Sequence, residues 1–132
     1  MTAAILAALL LYLGQIFLVS LLFLADGPLD ERRRLALGNR DEALPLSTRA
    51  ARARRAVANL GENLLLFLPL ALLAVIQGSG DQGTAQLMGW LFVVARVLYV
   101  PAYVLGLGVW RGVCYGIGLL ATLGLGGIVA LG

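Results

Sequence analysis

Between Leu46 and Pro69 the chain reads LSTRAARARRAVANLGENLLLFLP, an arginine-rich, water-seeking stretch that becomes apolar with no helix breaker before Pro69. Ser47 or Thr48 suits a helix N-cap, and the pattern predicts one helix from about 47 to 77. At roughly 1.5 Å per residue such a helix is about 45 Å long, against a hydrocarbon thickness of about 30 Å, so its first turns project beyond a bilayer. Within it Arg52, Arg55, Asn59 and Glu62 are separated by three, four and three residues, which puts all four on one face. A row of cations, an amide and a carboxylate entering lipid is costly, so it requires partners elsewhere in the protein.

The rest of the chain is of membrane grade. Hydrophobic residues make up 61% of 132 residues and charged residues 13%, too apolar a balance for a wetted surface. Four apolar runs, about 3–25, 56–76, 87–109 and 112–131, each reach the roughly 20 residues that a helical crossing needs. The expected fold is an all-α integral membrane protein, a four-helix bundle with helices at about 3–25, 47–77, 86–109 and 112–131 in one domain, 1–132. The first run lacks a basic start and a small-x-small cleavage site, and reads as a membrane helix rather than a signal peptide. Residues 26–46 mix both charge signs with Gly38, Asn39 and Pro45, the pattern of a loop with at most a short surface turn. Whether that loop contributes an arginine to a ligand stays open. Residues 77–86 read as a short Gly-rich turn.

All ten basic residues are arginines, and eight of them lie between the first and second apolar runs, with Arg111 between the third and fourth. The positive-inside rule then places these connections in the cytoplasm and both termini on the opposite side. The same asymmetry accounts for the charge without a nucleic-acid partner. Arg-only, Ala/Leu/Gly-rich usage points to a bacterial inner membrane. The sequence has no histidine and one cysteine, Cys114, which leaves no basis for a transition-metal site or an intrachain disulfide.

Arg96 lies near the middle of the third run, where a charge costs at least about 2.5 kcal/mol on insertion scales. Glu62 is the sole acid in any apolar run, so a Glu62–Arg96 ion pair between two helices is expected. Tyr99 and Tyr103 follow on the same face as Arg96, and Tyr115 lies one turn after Arg111. The glycines of the fourth run, Gly112 and Gly116 onward, allow close helix approach.

Taken in order, Arg55-Ala56-x-x-Asn59-x-x-Glu62 with Phe67 beyond it, then Arg96-x-x-Tyr99-x-x-x-Tyr103, then Arg111-x-x-x-Tyr115, resemble the membrane-associated proteins in eicosanoid and glutathione metabolism, MAPEG. The resemblance covers nearly the whole chain. It implies a homotrimer of four-helix protomers that binds glutathione between neighbours near the cytoplasmic face. It also implies that Arg55, Asn59, Glu62, Tyr99, Tyr103, Arg111 and Tyr115 line the glutathione site, with Arg111 stabilising the thiolate and Tyr103 beside it; Arg52 and Arg96, on the same helix faces, complete the candidate set. The chemistry is coherent on its own terms: glutathione carries two carboxylates and one ammonium, which an Arg-rich pocket with one Glu complements. The activity implied is a glutathione-dependent transferase or peroxidase acting on apolar electrophiles dissolved in the membrane. A non-catalytic assembly or ligand-binding membrane protein is the alternative. A small transporter is a third reading, weakened by an Arg96 that would hold Glu62 ionised.

Overall fold

The computed structural model describes residues 1–39, 45–78 and 82–131. They form α1 (Thr2–Ala25), α2 (Leu29–Leu37), α3 (Thr48–Gln77), α4 (Gln82–Val104) and α5 (Gly108–Leu131). All but α2 are long and apolar enough to cross a membrane. Large apolar side chains exposed along these four helices, such as Leu10, Phe17, Leu66, Val94 and Leu120, meet lipid rather than water.

α3 is the central element, packing against α1, α4 and α5, while α4 and α5 form the most extensive pair. Its buried positions explain this role. Ala53, Leu60, Phe67 and Ala74 recur every seven residues, and Ala50, Leu64 and Ala71 fall on the companion positions. That is a coiled-coil stripe running unbroken from the arginine-rich turns into the apolar ones. Because lipid offers no hydrophobic drive for helix association, the contacts rely on close fit: Ala4 and Ala8 of α1 are fully buried, and a Cβ at Gly89 would come within 3.0 Å of the Ala4 Cβ. Phe67 and Phe92 stack face to face at 4.0 Å at the centre of the bundle.

Two elements depart from the expectation. Residues 29–37 form a nine-residue helix rather than a loop, with Asp30 and Glu31 in the first turn and Arg34 in the last, the charge order that a helix dipole favours. Arg32 ties α2 down: it donates to the Asp26 carbonyl at 3.2 Å and the Pro45 carbonyl at 2.8 Å, and its guanidinium lies over the Phe23 ring. Residues 40–44 of the expected loop, and 79–81 of the expected Gly-rich turn, lie outside the described residues.

The third crossing is also shorter at its arginine end than its apolar run, ending at Val104 instead of about 109. Gly106 takes a left-handed φ of +80°; its N–H donates to the Tyr103 carbonyl at 3.1 Å and the Leu107 N–H to the Ala102 carbonyl at 2.8 Å. These are the paired bonds of a Schellman-type cap. The chain reverses at once, and Arg111 falls in the first turn of α5 rather than in a loop. Gly106→Ala is expected to cost roughly 1–2 kcal/mol, because an L side chain resists this conformation. Thermal unfolding in detergent measures it, and an unchanged melting temperature would refute the role given to this turn.

Candidate functional site

The polar side chains gather at the arginine end of the bundle in two adjoining clusters. The first surrounds a hollow of about 150 Å³ lined by Arg52, Arg55, Ala102, Tyr103, Gly106, Gly108 and Arg111. Helix ends build it. Val104 is among the last residues of α4, whose terminal carbonyls have no partner within the helix, and the Arg52 Nη1 donates to the Val104 carbonyl at 3.3 Å. A cation at that end also meets the negative pole of the α4 dipole. A Cβ at Gly106 would lie 2.7 Å from the same nitrogen, so the glycine serves both the backbone turn and the approach of Arg52. Arg111, from the first turn of α5, lays its guanidinium 5.1 Å from the centre of the Tyr103 ring. Three guanidinium groups thus border one small space, and among the described residues no carboxylate lines it. Their mutual repulsion is relieved when an anion enters.

The second cluster is built around Arg96, which is 1% exposed. Its Nη1 donates to the Asn59 Oδ1 at 3.1 Å and its Nη2 to the Asn63 Oδ1 at 2.7 Å. Asn63 is itself anchored by donating to the Asn59 backbone carbonyl at 2.7 Å. The rings of Phe92, Tyr99 and Tyr115 stand 5.1–5.7 Å from the guanidinium carbon, close enough for their negative faces to attract it. Gly118 of α5 gives the room: a Cβ there would come within 2.9 Å of the Arg96 Nε. Cys114, one turn before Gly118, is buried with Ala56 and Tyr99.

The sequence matches the MAPEG family over residues 1–131. This chain is a MAPEG protein. No curated protein and no solved structure matches it. The family is one of integral membrane proteins associated with glutathione chemistry, and the four apolar helices agree with membership.

Of the nine positions singled out in this MAPEG chain, the hollow brings together Arg52, Arg55, Tyr103 and Arg111. Asn59, Arg96, Tyr99 and Tyr115 converge instead on the second cluster, with Asn59 half-buried, Tyr99 buried and Tyr115 partly exposed. Glu62 belongs to neither: it is exposed on α3. The expected Glu62–Arg96 ion pair is therefore not formed. Asn59 and Asn63 are four residues apart on one face of α3, and Glu62 lies to the side of it. Neutral amide oxygens accept from both terminal nitrogens of the guanidinium, leaving its buried Nε without a hydrogen-bond acceptor, and take no second charge out of water, which an ion pair at that depth would require. Sequence reasoning missed Asn63, Phe92 and Gly106; an amide repeated at i and i+4 opposite a membrane arginine was the available signal.

Asn63→Leu is expected to destabilise the chain by about 2–3 kcal/mol, since it leaves a buried cation short of an acceptor. Glu62→Gln is expected to stay within about 0.5 kcal/mol in the absence of ligand. Equilibrium unfolding in detergent compares the two, and the reverse ranking would restore the ion pair.

Proposed function

We propose that this MAPEG protein is a glutathione-dependent transferase or peroxidase acting on apolar, membrane-dissolved electrophiles. The observation that carries the reading is the hollow at the α4–α5 turn, bordered by three arginines and, among the described residues, lined by no acid. Arg52 and Arg55 suit the carboxylates of glutathione, as planar forks that can each hold two oxygens. Arg111 suits the sulfur, because a guanidinium beside a thiol favours the thiolate, the nucleophilic form. The Tyr103 hydroxyl is available to donate to the same sulfur. In the transferase reaction the thiol gives its proton to water, the thiolate sulfur bonds to an electrophilic carbon, and the displaced group leaves with the bonding electrons.

Glutathione is a tripeptide, and one chain's hollow of about 150 Å³ accommodates only part of it. This supports a homotrimer with the site completed between neighbouring copies. An exposed Glu62 facing outward from α3 suits the ligand's ammonium in such an arrangement. The arginine-bearing end then faces the cytoplasm, both termini face away from it, and the membrane is a bacterial inner membrane. Free of Arg96, Glu62 no longer counts against proton-coupled transport, but it does not line the hollow, and the enzyme reading uses all three of the hollow's arginines.

Glutathione at a hundred times its dissociation constant should stabilise the purified protein by roughly 2.7 kcal/mol, seen as a higher melting temperature, and Arg55→Ala should abolish the rise. Arg111→Ala should keep much of the rise yet lose the ultraviolet absorbance of the bound thiolate. A wild-type protein indifferent to millimolar glutathione would end this reading.

A further inference from the structure

Arg96 lines no part of the hollow, yet it is joined to it by a continuous file of rings. Its guanidinium carbon is 5.7 Å from the Tyr99 ring centre, the Tyr99 and Tyr103 centres are 5.4 Å apart with planes inclined at 51°, and Arg111 lies 5.1 Å from Tyr103. Each step falls within the range in which cations and rings, or pairs of rings, attract one another. The two ends of this file differ. Arg96 is buried and held at both terminal nitrogens by amides of α3, with Gly118 packed so closely that a Cβ there would come within 2.9 Å of its Nε. Arg111 is exposed, and among the described residues its guanidinium has no hydrogen bond or ion pair and one ring partner, Tyr103. Left alone, a side chain of that length samples many rotamers.

We propose that Arg96 is a positioning residue: through the rings of Tyr99 and Tyr103, it fixes where the Arg111 guanidinium sits in the hollow. The fixed cation orients the face of Tyr99, Tyr99 packs on Tyr103 one helical turn along, and the exposed face of Tyr103 seats Arg111. The file is read from the ligand-free geometry alone. Its consequence for thiol activation rests on the glutathione reading above, and the two parts are tested separately.

In the ligand-free protein, NMR of isotopically labelled arginine should show the side-chain signals of Arg111 displaced by the ring current of Tyr103. Tyr99→Phe, which keeps the ring and drops the hydroxyl, should retain that displacement. Tyr99→Leu should lose it, and so should Arg96→Met if that variant folds. With glutathione bound, Tyr99→Leu should form about tenfold less thiolate at a fixed pH while keeping its melting shift, and Tyr99→Phe should restore the signal. An Arg111 signal unchanged in Tyr99→Leu, or lost equally in the Phe and Leu variants, would overturn the proposal. If wild-type protein ignores glutathione, the glutathione reading fails and the ligand-free spectra still decide the file of rings.

Discussion

A guanidinium sealed inside a membrane protein must have its charge answered from within, and Arg96 is answered by three helices at once. Two asparagines of α3 accept from it, Phe92 and Tyr99 of its own helix and Tyr115 of α5 turn their faces to it, and Gly118 of α5 makes space. None of these partners is charged, so the positive charge is dispersed over dipoles and π faces rather than cancelled. Sliding α3, α4 or α5 along its neighbours would strand a buried donor, which fixes the relative heights of the helices more sharply than apolar packing alone can.

That fixed register sets the geometry at the arginine end. With α4 held, its Schellman-type turn at Gly106 delivers Arg111 from the start of α5, while α3 brings Arg52 to the carbonyl of Val104. Cations crowd there because separate demands coincide: a helix C-terminus seeks positive charge, and the ends of the crossings are where arginines can leave lipid. The product is a positive hollow at the edge of an apolar body.

The bundle reaches this arrangement without a large hydrophobic driving force. Close contacts use alanine and glycine, Ala4 against Gly89 and the alanines of the α3 stripe, and, apart from a few such as Leu60, Leu64 and Leu125, many of its bulky aliphatic side chains point outward. In water those outward side chains would be a liability; in a bilayer they are the solvated surface, and close backbone approach supplies the cohesion.

The sequence by itself determined that this is an all-helical membrane protein with four crossings, because run length and charge scarcity answer directly to bilayer thickness and to the cost of burying charge. The order and spacing of Arg55, Asn59, Glu62, Arg96, Tyr99, Tyr103, Arg111 and Tyr115 were also legible, since periodicity alone places residues on a helix face, and with them the MAPEG family. Only the tertiary structure decided which faces meet. Charge matching suggested Glu62 for Arg96, but the rotation of α3 turned Asn59 and Asn63 inward and Glu62 outward. The end of α4 was likewise hidden in a run of apolar letters, because a left-handed glycine and its two hydrogen bonds leave no mark on hydropathy. Pairing across helices depends on relative rotation and height, and these are settled by the packing of the whole bundle rather than by any one segment.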